Sequence, residues 1–224
     1  MLKENLKAFQ KGKINYIQAG NQAKKYTPWI GDLVNSFYDI IMEKSVFPKK
    51  FHADLQLHYD ILKKKLQDIH HSKVVELATG SGNAVYFLSH DNEYYGIDIS
   101  PGLLKKAYQR FTDSNFNNAQ FYLASAEDLP FQDNYFDVIL CHLSFNFFQN
   151  LRKTIQEATR VSQRNATFYG SVPIPERKSD SAVIRGTLFS EAELRGLFNG
   201  FGWIFNSLPE KNGALLYFIA KKNF

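Results

Sequence analysis

This chain of 224 residues contains one cysteine, two methionines and two tryptophans. The lone Cys141 excludes an intrachain disulfide and any cysteine-cluster metal site. No apolar run comes near the roughly 20 residues needed to cross a bilayer. Residues 1–13 lack the apolar centre of a signal peptide, so a cytoplasmic protein is expected. Arginine is missing from residues 1–72, which carry twelve lysines against seven acidic residues. What the chain has in quantity is aromatic: 20 Phe and 12 Tyr. With 44% hydrophobic and 22% charged residues, disorder is excluded. The length suits one large domain, or one domain with an appendage.

The net charge of +5 is uneven. Residues 1–72 hold all of it, and residues 73–224 balance at zero. Composition divides the chain at the same place, into an expected helical cap or lid over 1–72 and an α/β domain over 73–224. In the cap, Thr27-Pro28 suits a helix N-cap with proline at the first position. Ile30, Leu33, Val34, Phe37, Tyr38, Ile40 and Ile41 then recur at near-helical spacing. Pro48 is expected to close that helix. A second helix is expected over about 51–69, and residues 1–26 read as a short helix and a loop around Gly20-Asn21. From Lys73, strands alternate with helices, which predicts a parallel sheet. Two strands around Lys211-Asn212-Gly213 predict an antiparallel hairpin at the sheet edge. Ser190 with Glu193 predicts a capping box.

The informative segment is Val74–Asn83. A buried strand runs into a turn holding Gly80 and Gly82, and a helix is expected over about 83–90. Glycine there lets backbone approach a ligand closely. Asp98 ends the next strand, 22 residues after Glu76, where an acid can accept hydrogen bonds from a ribose. Together these describe a site for a nucleoside-containing cofactor at the carboxyl edge of the sheet. A dinucleotide fingerprint needs a third glycine where Val85 stands. Tyr59 and Lys63 have a dehydrogenase-like spacing but precede the glycine loop, in the wrong chain order.

Glu76-Leu77-Ala78-Thr79-Gly80-Ser81-Gly82 resembles the first motif of class I S-adenosylmethionine-dependent methyltransferases. Tyr95-Gly96-Ile97-Asp98-Ile99-Ser100 resembles the second, Ala124–Phe131 the third, and Phe136–Leu140 the fourth strand. Thr187–Leu194 is similar to the helix before the last hairpin. The set is most like the small-molecule branch that includes ubiquinone and menaquinone methyltransferases. The resemblance implies a Rossmann-like, seven-stranded, mostly parallel sheet with an antiparallel C-terminal hairpin strand and an N-terminal helical cap. It implies methyl transfer from S-adenosylmethionine to a small-molecule acceptor, with S-adenosylhomocysteine as product. Glu76, Ala78, Thr79, Gly80, Gly82, Asp98, Ile99, Ser125, Ala126 and Glu127 are the implied cofactor residues. Cys141, which reads as a small buried hydrophobe, is counted beside them.

Three departures stand out: Ala78 replaces the usual first glycine, Ser125 replaces a common Asp, and Ser162–Asn165 replaces a Pro-Gly-Gly turn. His142 follows the fourth strand, where such proteins place a substrate-facing loop, and is the candidate general base. Tyr16, Tyr26, Trp29 and Tyr38 of the cap, with His142 and Asn146, are the candidate acceptor pocket. No metal is expected. The basic pI near 9.1 keeps an RNA methyltransferase as an alternative, although arginine is absent from the basic stretch and no RNA-binding module precedes the sheet. A non-catalytic S-adenosylmethionine-binding protein is the other alternative. Sequence does not set the oligomeric state.

Overall fold

The structure, a computed structural model, describes residues 1–19, 22–23 and 37–223. Ten strands form one sheet: β1 (Leu6–Lys11), β2 (Ile14–Ala19), β3 (Gln22–Ala23), β4 (Lys73–Leu77), β5 (Glu93–Asp98), β6 (Ala119–Leu123), β7 (Phe136–His142), β8 (Ser162–Pro173), β9 (Trp203–Ser207) and β10 (Leu215–Lys222). The order is β1-β2-β6-β5-β4-β7-β8-β10-β9, with β3 paired to β2. From β2 to β8 every neighbouring pair is parallel; β10 lies antiparallel between β8 and β9. The seven strands from β6 to β9 fit the expected sheet with its antiparallel end. Order reverses at β4, whose neighbours are β5 on one side and β7 on the other, and such a reversal opens a crevice at the carboxyl ends of the strands.

The extra strands correct the reading of the N-terminus. Residues 6–19, expected as a short helix, form a hairpin whose strand β2 runs parallel to β6, Tyr16 opposite Leu123. Gly12, with φ 66°, makes its turn. Alternation is weak there: in β1 only Leu6 is buried. The remainder of the cap reading is helical where described. Helix α1 (Tyr38–Ile41) widens into π-helical turns over Met42–Phe51. Pro48 lies inside those turns rather than ending them; the turns end at His52, in the left-handed region at φ 48°. Helix α2 (Leu55–Leu66) is capped by Asp54, whose side chain accepts from the Leu57 N–H at 2.6 Å. The expected helix start at Thr27-Pro28 lies outside the described residues.

Helices α3 (Pro101–Asp113), α4 (Leu151–Val161) and α5 (Glu191–Gly200) complete the layers. The central strands are buried on both faces, so their side chains alternate between two cores. Val75, Leu77, Ile97, Ile139 and Phe168 join α4 and α5 on one face. Val74, Tyr94, Phe121, Val138 and Leu140 join α2, α3, Phe47 and Phe51 on the other. Ser100 caps α3 with Pro101 behind it, and the Ser190–Glu193 capping box is present on α5. Strand β8 begins at Ser162, four residues earlier than expected. Asn165 takes φ 66°, and the β7–β8 register shifts between Phe136 and Val138, so an irregular strand stands where a loop was expected.

Candidate functional site

Beyond Leu77 the backbone enters the left-handed region at Ala78 (φ 54°), Gly80 (φ 57°) and Gly82 (φ 81°). Thr79 N–H donates to the Ile97 carbonyl at 2.9 Å, and Gly82 N–H to the Thr79 carbonyl at 3.0 Å. Asp98 stabilises this turn from the end of β5. Its Oδ2 accepts from Gly80 N–H at 2.9 Å and its Oδ1 from Ser100 N–H at 2.9 Å. One carboxylate thus joins the glycine loop to the start of α3. The expected helix over 83–90 is only a 3-10 turn, Asn83–Tyr86. The two glycines also differ. A Cβ on Gly80 would meet only the Tyr38 hydroxyl at 3.8 Å, whereas one on Gly82 would meet Ala107 Cα at 2.7 Å. Gly80 keeps the cavity floor low; Gly82 lets the loop rest against α3.

Glu76 lies beneath the loop, 5% exposed. Its Oε2 accepts from the Thr79 hydroxyl at 2.6 Å and from the Tyr94 hydroxyl. Burial raises its pKa to about 7, opposed by those two hydrogen bonds and assisted by the charge of Asp98. Tyr94, missed in the sequence as an ordinary strand residue, is therefore part of this cluster. Its phenol is pushed well above its usual value by burial and by Glu76.

Two cavities meet over the loop. The larger, about 440 Å³, is lined by Ala78, Gly80, Asp98, Ile99 and Leu103, by Ser125, Ala126 and Glu127, and by Phe147 and Phe148. Its volume falls within the ~300–1,000 Å³ of ordinary ligand sites. The smaller, about 260 Å³, holds Glu76, Thr79 and Ser81 at one end and Phe47, His58, Tyr59, Phe87 and His142 at the other. Tyr38, Ala78, Gly80, Leu143 and Ser144 border both. Of the implied cofactor residues, nine line one cavity or the other: Glu76, Ala78, Thr79, Gly80, Asp98, Ile99, Ser125, Ala126 and Glu127. Gly82 packs behind the loop instead. Cys141 is wholly enclosed in the core and lines neither cavity; burial raises its thiol pKa well above the usual value.

Among the pocket residues, Tyr38 and His142 are in place. Tyr38 is half-buried with its hydroxyl over Gly80, and desolvation followed by the charge of Asp98 raises its phenol pKa. His142 is half-buried with its Nε2 enclosed, its Nδ1 is hydrogen-bonded to Ser171 Oγ at 3.0 Å, and desolvation lowers its pKa to about 3. Tyr16 lies on β2, stacked on Phe9 at 5.4 Å, and lines neither cavity. Asn146 is buried but ties a loop: its Nδ2 donates to the Arg185 carbonyl at 2.6 Å and its own carbonyl accepts from Thr187 N–H at 2.9 Å. It was expected in the pocket because it follows β7; the turn at Phe145–Phe147 directs it away. Tyr26 and Trp29 lie outside the described residues.

Asp39, also missed, fastens the cap to this site. Its carboxylate accepts from Ser81 Oγ at 2.6 Å, Lys106 Nζ at 3.2 Å and Arg110 Nη2 at 2.7 Å. Burial alone would raise its pKa, but Ser81 and the two cations hold it below the usual value. Arg110 also bonds Asn83 and Ser81 and stacks over Tyr86. Nothing in the sequence spacing pairs residue 39 with 81, 106 and 110.

The donor set suits S-adenosylmethionine. Asp98 and Ile99 border the larger cavity as a ribose acceptor and an adenine wall would, and the buried Glu76 carboxylate suits an ammonium group. Residues 75–170 match the family described as Methyltransferase domain. An uncharacterized methyltransferase of Bacillus subtilis, YcgJ, is 29% identical over 97 residues, 43% of this chain and 38% of its own length. The demethylmenaquinone methyltransferase of Thermotoga maritima is 28% identical over 148 residues, 65% of this chain and 60% of its own. The chain thus spans less than two thirds of these relatives. Among solved structures, an S-adenosylmethionine-dependent methyltransferase from Aquifex aeolicus superposes with a TM-score of 0.66 at 15% identity, over 84% of this chain and 97% of that one. The cyclase SpnF superposes at 0.70 with 12% identity, over 87% and 94%, so this fold also carries other chemistry. The sheet order, the loop with its two acids and the family match over residues 75–170 agree, and together they support a class I S-adenosylmethionine-dependent methyltransferase.

Proposed function

We propose that the protein transfers a methyl group from S-adenosylmethionine to a small-molecule acceptor. The observation that carries this reading is the junction of the two cavities at Ala78, Gly80 and Tyr38. One cavity has the ribose-type acid, the other has the imidazoles, and five residues border both. Asp98, Ile99 and Ser125–Glu127 hold the nucleoside, and Glu76 with the loop holds the amino-acid end. When bound, the cofactor supplies a methyl group on a sulfonium and leaves as a neutral thioether, releasing one positive charge. His142, which desolvation keeps neutral, takes the acceptor's proton at Nε2 only as the sulfonium charge is lost. Tyr38 and the aromatic walls exclude water and orient the acceptor. The helical residues 38–66 serve as the cap. The demethylmenaquinone relative supports a small-molecule acceptor.

Calorimetric titration with S-adenosylhomocysteine tests the reading. Binding is expected to be lost in Asp98→Ala with the fold retained. Folded wild-type protein giving no heat at millimolar ligand refutes it.

A further inference from the structure

A second imidazole faces the smaller cavity with His142, and its hydrogen-bond polarity can be read outward from the backbone. Asp54 N–H must donate, and its partner at 2.8 Å is Asn212 Oδ1. That fixes the amide of Asn212, so its Nδ2 donates to the Asp54 carbonyl at 2.8 Å and to Tyr217 OH at 3.2 Å. With its oxygen accepting from Asn212, Tyr217 turns its own proton to His58 Nδ1, 2.9 Å away. His58 therefore accepts at Nδ1 and carries its proton at Nε2. The relay is buried throughout: His58 is 3% exposed, Asn212 4% and Tyr217 1%.

The surroundings bear on what this proton meets. His58 and His142 lie with ring centroids 6.2 Å apart, edge to face. Burial, then the neighbouring His142, pushes the His58 pKa well below its usual value, and burial does the same at His142. Both rings are neutral. His142 Nε2 is buried and has no hydrogen-bond partner among the described residues. Such an atom is destabilising until something satisfies it. Beside them stand Met42, Glu43, Phe47, Leu55, Tyr59, Phe87 and Leu143. The one guanidinium lining the cavity, Arg110, is bound to Asp39. An anionic acceptor would find carboxylates and no available cation there. A cationic one, with only donors to offer, would leave the His58 Nε2–H without an acceptor.

We propose that His58 is a specificity-determining residue, fixed as the Nε2–H tautomer by Tyr217 and Asn212, and that with His142 it selects a compact, uncharged acceptor bearing a hydroxyl group. The acceptor oxygen accepts from His58 Nε2–H, and its O–H donates to His142 Nε2. Tyr217 is a positioning residue, acting through His58. This inference rests on the methyltransferase reading, because it places the acceptor next to a cofactor in the adjoining cavity.

The test uses the full chain saturated with S-adenosylhomocysteine and three probes that share a 4-methylphenyl ring: 4-methylphenol, 4-methylbenzoate and 4-methylbenzylammonium. Calorimetry should show the phenol binding about tenfold more tightly than either ion, the scale of one or two hydrogen bonds. His58→Phe and Tyr217→Phe should each weaken the phenol several-fold, while His58→Gln, which keeps an N–H near the Nε2 position, restores most of it. Binding of S-adenosylhomocysteine should be unchanged in all three. Nitrogen-15 NMR should show a protonated Nε2 at His58 in the wild type and a mixture of tautomers in Tyr217→Phe, a shift that loss of packing alone would not produce. If His58→Phe does not fold, Tyr217→Phe carries the test. Equal or tighter binding of either ion, no binding of the phenol, or an Nδ1–H tautomer overturns the proposal. Failure of S-adenosylhomocysteine itself to bind overturns the methyltransferase reading instead.

Discussion

Gly80 and Gly82 look alike in the sequence, but the structure gives them different functions that one substitution each can separate. At Gly82 an added methyl would sit 2.7 Å from Ala107 Cα and 2.8 Å from Ala107 Cβ, with the backbone at φ 81°. The obstacle includes main chain of α3, so no side-chain rotation relieves it. A left-handed residue with a Cβ costs about 1–2 kcal/mol, and overpacking a filled seam adds about 1–3. Gly82→Ala should therefore lose about 2–5 kcal/mol, a large part of the ~5–15 kcal/mol that holds a domain together. Ala107→Gly in the same chain removes only the Cβ contact and should restore a minor fraction.

Gly80→Ala meets no such wall. Its backbone penalty is similar in kind, about 1–2 kcal/mol. Its methyl, however, stands on the cavity floor beside Tyr38, where the two cavities join. Cofactor affinity should fall at least tenfold in a protein that still folds. Urea unfolding and calorimetry with S-adenosylhomocysteine, run on both variants, separate the two effects. If Gly82→Ala unfolds within about 0.5 kcal/mol of wild type, or if Gly80→Ala binds as wild type does, the distinction drawn from these contacts is wrong.

Ala78 is strained at φ 54°, so Ala78→Gly should stabilise the protein by about 0.5 kcal/mol, net of the added chain entropy, in the same urea assay; a loss would refute the strain. Glu76 titrates at about 7 in the fold against 4.5 ordinarily, so the folded state holds the extra proton between those values and stability falls as pH rises through that window. Glu76→Gln should exceed wild type by about 3 kcal/mol at pH 8, with the gap closing towards pH 4.5; a gap that does not change with pH would refute the shift. Asp39→Ala unfastens the cap from Ser81, Lys106 and Arg110, and limited proteolysis should then cut within residues 38–51 faster than in wild type. Ser100→Ala removes the side-chain acceptor for Leu103 N–H and should cost about 1 kcal/mol of stability.

The parts of the site legible in the sequence share one property: each is fixed by a few consecutive residues. Glu76 to Gly82 is a strand end and its turn; Asp98, Ser100 and Pro101 are a strand end and a helix cap. Local backbone chemistry determines those shapes, and the residue types announce them. Tyr94, His58, Asp39 and Arg110 escaped because their roles depend on neighbours across the sheet or from another layer. Tyr94 is two residues into an apolar strand, and only the pairing of β4 with β5 brings its hydroxyl to Glu76. His58 needs Tyr217, 159 residues away. The N-terminal hairpin escaped for a different reason. With one buried residue in β1 it has little alternation to read, and it is held by backbone pairing to β6 rather than by a core of its own.

That hairpin also changes the meaning of the basic first third. Among the described residues strand β1 ends the sheet, pairing only with β2, and Lys7 and Lys11 lie on it with Lys13 beside the turn. Lysines on an open edge discourage another strand from adding to it. Lys63, Lys64 and Lys65 lie in the last turn of α2, where cations favourably meet the negative end of the helix dipole, and Lys65 pairs with Glu210 at 2.7 Å. Lys3 reaches Asp128 and Glu157, each at 3.4 Å. Seven of the twelve lysines thus have a structural reason to be where they are. They are spread over a sheet edge, a helix end and the far side of β6 rather than gathered into one face, and a polyanion would need such a face to neutralise several phosphates at once. The charge of these seven lysines is therefore better understood as protection of an added sheet edge and a helix end than as a binding surface, and it leaves the two imidazoles of the smaller cavity to choose the acceptor.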